Sequence, residues 1–136
     1  MNMNRFFTIL CLLLCLAGGK SVIQAADMWE YPTSKPKTPF GGGDGSWNNP
    51  YRIETAQHLA NLSYMVNEKG EDYKGKYFAM TNDINLSAGD ADLNWDGGDM
   101  AVKEWVPIGN DDDFFEGVFD GQGHTIKGMA IWKGGT

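Results

Sequence analysis

Cysteine is nearly absent from this chain of 136 residues, and the position of its two copies limits the chemistry further. Cys11 and Cys15 both fall within an apolar run close to the start. If that run is removed as a leader, the remaining chain has no thiol, which excludes disulfides and thiol catalysis and argues against a zinc site with cysteine ligands. A small exported domain without disulfides must be stabilised by its core or by neighbouring modules.

Long hydrophobic stretches are also lacking beyond the first residues. Arg5 precedes an apolar run over residues 6–17, which is short for a membrane span. Polar residues follow and then Ala25 and Ala26, the layout of a secretory signal peptide with cleavage after either alanine. We therefore predict a signal peptide over residues 1–26 and an extracytoplasmic chain, secreted or at the cell surface, with no membrane insertion after cleavage. An uncleaved anchor is the alternative.

Positive charge is scarce in the sequence. The 11 Lys and Arg residues are outnumbered by 18 Asp and Glu residues, which gives a formal net charge of −7. Removal of Arg5 and Lys20 with the leader makes the remaining chain more acidic still. An acidic surface repels nucleic acid and anionic membranes, so we expect neither as a partner. The remaining length suits one domain.

Residues 27–39 contain three prolines and show no apolar period. This composition predicts an extended, Pro-rich linker ahead of a folded module over residues 40–136. The alternative is that Trp29 and Tyr31 pack onto the module as a staple.

One amphipathic helix is predicted within the module. Thr55 has the side chain of an N-cap, and Gly70 is suited to end the helix after about Lys69. The apolar residues between them recur at helical spacing: Leu59, Leu62, Met65 and Val66. We expect this helix to cover the open end of a sheet stack, and we interpret His58 as a surface residue rather than a ligand.

The rest of the module consists of short apolar runs separated by glycine and asparagine. We predict strands at residues 51–53, 76–81, 84–86, 105–109, 118–119, 125–126 and 129–132. The segment 115–129 is dense in glycine, which permits the sharp turns that the coils of a parallel β-helix require. No strict internal repeat is present, so this prediction depends on the chemistry of the corners.

Several segments resemble the N-terminal region of exported Bacteroidota surface proteins that carry GLUG motifs. The matching segments occur in the same order and at compatible spacing, and they are residues 43–62, 73–78, 82–86, 105–109 and 115–121. The resemblance implies a mainly β fold, the N-terminal part of a right-handed, pectate-lyase-like parallel β-helix with one capping helix. Because the sequence stops where a next coil would begin, we expect either an incomplete solenoid or the capping unit alone.

For function, the resemblance implies a non-catalytic surface module that caps the solenoid and takes part in adhesion. The partners implied are a glycan, a host or bacterial surface protein, and downstream coils of the same polypeptide. The alternative is the N-terminal piece of a polysaccharide lyase or glycoside hydrolase whose catalytic coils lie beyond Thr136.

An acidic insertion near residues 90–99 suggests calcium, the one cofactor that the sequence indicates. The order Asp92-x-Asn94-x-Asp96-Gly97 matches the opening of a calcium-binding loop, but Lys103 occupies the twelfth position, where a glutamate is needed. The candidate Ca²⁺ ligands are Asp90, Asp92, Asn94, Asp96 and Asp99. A solvated acidic loop is the alternative.

Other candidate site residues are aromatic or titratable. Trp95 and Trp132 are candidates for stacking on sugar rings. Asp120 suits a corner position before Gly121 better than a catalytic pair with Glu116. His124 follows the same corner, where a structural role is favoured over that of a general base, so we assign no catalytic residue.

Overall fold

The computed structural model of this chain describes residues 29–87 and 103–131. Within those residues the elements follow in the order β1 (Tyr51–Ile53), α1 (Ala56–Lys69), β2 (Tyr77–Met80), β3 (Ile84–Asn85), β4 (Val118–Asp120) and β5 (Ile126–Lys127). The strands are as short as the sequence predicts, and they lie close to the predicted positions.

All pairs between these named strands are parallel. One sheet has the order β1-β2-β4, with Phe78 in register with both Tyr51 and Phe119. A second sheet pairs β3 with β5 through Ile84 and Ile126. A single parallel bridge joins Glu104 to Ala130. Successive passes of the chain therefore pair in the same order: β2 with β4, β3 with β5, and residue 104 with residue 130.

Helix α1 begins and ends where the sequence predicts. The Thr55 hydroxyl accepts a hydrogen bond from the His58 amide at 3.2 Å, which is the N-cap interaction. Gly70 adopts a left-handed conformation with φ of 63°, and its amide donates to the Val66 carbonyl. The apolar face of α1 shares one core with the inward side chains of the strands and of the residue after β3, among them Ile53, Phe78, Met80, Ile84 and Leu86.

The outer edge of β1 is covered by backbone from the glycine-rich segment ahead of it. The Gly41 amide donates to the Arg52 carbonyl at 2.9 Å, and the Arg52 amide donates to the Gly42 carbonyl at 3.0 Å. A Cβ at Gly43, where φ is +87°, would collide with the backbone carbonyl of Pro50 just ahead of β1. The glycines therefore allow a close backbone approach that satisfies a strand edge.

The segment 29–39 is not the linker that its prolines predict. Trp29 is only 3% exposed, it packs edge-on against Trp105, and its indole Nε1 donates to the Leu86 carbonyl at 3.0 Å. Tyr31 packs against the same core, and the Pro39 carbonyl accepts from the amide of the buried Asn61. The staple alternative is therefore correct, because two aromatic side chains bury enough apolar area to order the segment.

The predicted strand at 105–109 is also wrong. The segment is irregular, although Trp105 is buried in the core. Pro107 has no amide to donate, and the carbonyls of Val106 and Pro107 accept instead from the Ser63 hydroxyl of α1 at 2.9 and 3.1 Å. The predicted strand at 129–132 is reduced to the single bridge at Ala130, and Trp132 lies outside the described residues.

Candidate functional site

An open groove lies on the outer face of the three-stranded sheet. Its cavity measures about 500 Å³, and its main lining side chains are Trp47, Pro50, Tyr77, Val118, Asp120 and Gln122, which we call the Trp47 groove. The register places Tyr77 beside Val118 and Ala79 beside Asp120, so the small Ala79 side chain lies between larger neighbours. Side chains alternate between the two faces of a strand, which separates this outward row from the core.

Trp47 is the most exposed large apolar side chain of the described residues, at 74%. Its indole meets the Tyr77 ring edge-on, with centroids 5.3 Å apart and planes at 80°. Val118, at the far side of the groove, is also exposed. The two rings therefore form a right-angled aromatic corner that is open to solvent.

A tightly bonded turn holds Trp47 in this position. Ser46 and Asn49 form an antiparallel bridge on either side of the Trp47-Asn48 tip. The Asp44 carboxylate accepts from the Ser46 amide at 2.8 Å and from the Asn49 side-chain amide at 3.2 Å. Hydrogen bonds from the Ser46 side chain and backbone, and then from Asn49, hold the pKa of Asp44 below its usual value. The turn is fixed by local chemistry rather than by burial of Trp47.

The polar rim of the groove is formed by the corner that follows β4. The Asp120 carboxylate accepts from the backbone amide of Gln122 at 2.9 Å and from its side-chain amide at 3.2 Å. The first of these bonds confirms the predicted corner role of Asp120. No lysine or arginine lines the groove among the described residues.

His124 is part of a contact between two successive corners. The Asp83 carboxylate lies 3.2 Å from the His124 Nδ1 atom and accepts from the Thr125 amide at 2.9 Å. The Thr125 amide first, and then His124, lower the pKa of Asp83. These contacts support the predicted structural role of His124 at a corner.

Other titratable candidates are also engaged. Glu116 forms an exposed ion pair with Lys74 at 2.9 Å. His58 is half-buried, and its Nδ1 accepts from the Glu54 amide at 3.2 Å. Burial lowers the pKa of His58, although the nearby Glu54 carboxylate opposes that shift. The structure therefore places His58 at the start of the helix as an acceptor, partly withdrawn from the surface.

The predicted calcium ligands at residues 90–99, together with Trp95 and Trp132, lie outside the described residues, so both assignments stay predictions. Within residues 29–87 and 103–131 no cluster of three or more His, Asp or Glu side chains is arranged to hold a metal ion. Trp47 was missed at the sequence level, although the Gly-Ser-Trp-Asn-Asn order around it is a turn signal that exposes a large ring.

Comparison with known proteins gives two partial matches. The chain is 39% identical over 92 residues to a putative Gly-rich membrane protein of Evansella cellulosilytica, and it is 30% identical over 96 residues to halomucin of Haloquadratum walsbyi. Each match covers 68% of this chain but only 9% and 1% of the respective relatives. No protein-family profile matches the chain, and neither does any solved structure.

The two relatives, a putative Gly-rich membrane protein and halomucin, point to an extracytoplasmic location. In the part of the chain that the structure describes, no helix is both long enough and apolar enough to cross a membrane.

Proposed function

We propose that this chain is a non-catalytic surface or secreted module that closes the first end of a right-handed parallel β-helix and presents a binding face. The observation that carries the proposal is the difference between the two edge strands, β1 and β4, of the three-stranded sheet. Segment 41–42 covers the edge of β1, whereas no strand of the described residues pairs with the far edge of β4. An unpaired strand edge is a template for a further strand.

Exposed apolar side chains support the addition of a further coil on the β4 side of the sheet. Met129 and Ile131, on either side of the bridged Ala130, are exposed apolar residues. In a stacked-coil protein each coil buries its neighbour, and terminal coils need a distinct cap. Segment 41–42, with α1 beside the core, would serve as that cap, and the open side would receive the next coil.

The spacing of two sets of paired positions fits turns of nearly constant size. Tyr51 pairs with Phe78, 27 positions later, and Glu104 pairs with Ala130, 26 positions later. Passes of nearly equal length are expected when the coils of a solenoid stack.

Adding one turn tests the proposal. A second copy of residues 105–131 placed directly after Ala130 provides new partners for β4, β5 and residue 130. We expect the midpoint of thermal unfolding to rise, because burying the added Phe119 and Ile126 side chains contributes about 1.5–3 kcal/mol each before the cost of ordering. Amide exchange should show protection in the added strands.

The matched control carries serine in place of phenylalanine and isoleucine at those two positions of the added copy. It has the same length but cannot fill a core, so its midpoint should not rise. The proposal is wrong if the added turn leaves the midpoint unchanged, if its amides exchange freely, or if the serine control stabilises equally.

A further inference from the structure

The rigidity of the turn at residues 44–49 indicates a prepared contact surface. Two backbone amides, those of Asp44 and Gly45, donate to the Asn49 carbonyl, and the Asn49 amide donates to the Ser46 carbonyl. Gly45 has φ of +76°, and a Cβ there would collide with the Tyr51 ring, so the turn is locked against the first strand. Ordering Trp47 therefore costs little at the moment of binding.

Exposing a large indole at such a position is unfavourable in water unless a partner covers it. The Trp47 side chain is 74% exposed, and the edge-on Tyr77 ring does not cover the space between the two rings. A tryptophan and tyrosine corner combines wide apolar ring faces with polar N–H and O–H groups. The groove volume of about 500 Å³ falls within the range that holds small ligands.

The charge of the groove selects the class of ligand. Its rim offers the Asp120 carboxylate and the Gln122 amide, and no lysine or arginine is among its lining residues. Arg52 is in register with Ala79 on the neighbouring strand, but its guanidinium is bound to the Glu54 carboxylate and the Gly41 carbonyl. An anionic ligand such as a uronate, a nucleotide or a phosphate would be repelled by Asp120 and by the acidic chain as a whole. A ligand with an apolar face and neutral hydroxyl groups at its edge fits both the rings and the rim.

We propose that the Trp47 groove binds a neutral saccharide, with the C–H face of one sugar ring stacked on Trp47 and hydroxyl groups directed to Asp120 and Gln122. The site rests on the proposed role of the chain as a binding module but not on the stacking of further coils.

Isothermal titration calorimetry of the chain as exported tests the site. The probes are cellohexaose, xylohexaose and maltohexaose, with hexagalacturonate as the acidic counterpart. We expect binding of at least one neutral probe and none of the acidic one. Trp47→Ala should weaken that binding about tenfold or more, since lost stacking removes most of the contact. Trp47→Phe, which keeps a ring face, should retain part of it.

Phe114→Ala is the matched control, because Phe114 is a similarly exposed aromatic residue at 61% that does not line the groove. It should leave affinity unchanged, and neither alanine variant should shift the unfolding midpoint. The inference is overturned by the absence of neutral-saccharide binding, by equal loss in both variants, by no loss in Trp47→Ala, or by equal binding of hexagalacturonate. It is also wrong if the chain binds no saccharide but self-associates through this groove, so that Trp47→Ala abolishes the self-association.

The two experiments separate the two proposals. A failed titration with a stabilising added turn refutes the saccharide site and leaves the capping role. A positive titration without stabilisation by the added turn refutes the capping role alone.

Discussion

Glycine has different roles at different corners of this chain, and the differences are visible at single residues. Gly128 has φ of +74°, and a Cβ there would lie 2.6 Å from the Ser87 amide nitrogen and 2.7 Å from the Asn85 side-chain oxygen. Those atoms belong to the end of β3 and to the corner after it, so Gly128 permits two successive corners to touch. Gly123 has φ of +77° with open space around it, and Gly121 has neither constraint.

The three glycines predict a graded effect of alanine. Gly128→Ala should destabilise by about 2–4 kcal/mol, because backbone strain and a backbone collision add. Gly123→Ala carries only the strain and should cost about 1 kcal/mol, while Gly121→Ala should stay within about 0.5 kcal/mol of the parent. Denaturant unfolding measures all three, and equal losses at Gly128 and Gly123 would contradict the close approach of the corners.

At the scale of the element, the start of α1 couples helix formation to pH. The His58 Nδ1 atom accepts from the Glu54 amide only when the imidazole is neutral there, and burial lowers its pKa in the folded chain. The unfolded chain binds the proton near the ordinary pKa of about 6.5. The contribution of His58 is therefore complete above that value and is lost as the pH falls below it toward the folded pKa.

We expect the free energy of unfolding to decline between about pH 7 and pH 5 for this reason. His58→Asn, whose amide oxygen replaces the acceptor without titrating, should remove that part of the decline, and His124→Asn should leave it in place. Asp44 and Asp83 have lowered pKa values, so their contributions are lost only at more acidic pH, near the ordinary carboxylate value of about 4. An unchanged pH profile in His58→Asn would refute the assignment.

Elements with a local cause were the ones that the sequence predicted well. The Thr55 cap, the apolar spacing of α1 and the Gly70 stop all act within a few residues, and the helix follows them. The strand prediction at 105–109 was wrong because the Ser63 hydroxyl of α1, far away in sequence, donates to the carbonyls of Val106 and Pro107. The Trp47 groove was not predicted at all, because its walls come from a turn and two separate strands that meet only in the fold.

At the scale of the whole molecule, Trp29 joins the first described residues to distant parts of the core. Its indole contacts Leu86 and Trp105, and the Lys103 ammonium lies 4.7 Å from its ring centroid. The same ammonium donates to the Trp29 carbonyl and pairs with Glu30. These contacts bind segment 29–39 to the residues after β3 and to those before β4. The segment is therefore ordered against the core, although its proline content predicts a linker.

Trp29→Ala should therefore cost about 3–5 kcal/mol, as for a large core aromatic, whereas Trp29→Phe should lose less because it removes mainly the hydrogen bond to Leu86. Lys37→Ala, at an exposed position of the same segment, should be neutral. Thermal unfolding followed by circular dichroism measures the series. A neutral Trp29→Ala would restore the linker interpretation.

The position of Trp29 also determines when the fold can be completed. During synthesis, Trp29 emerges well before its partners, because the Leu86 carbonyl follows 57 residues later and Trp105 later still. Closing so long a loop is slow relative to forming α1 locally. The part of the core around Trp29 can therefore close only after residue 105 has emerged, long after α1 is able to form.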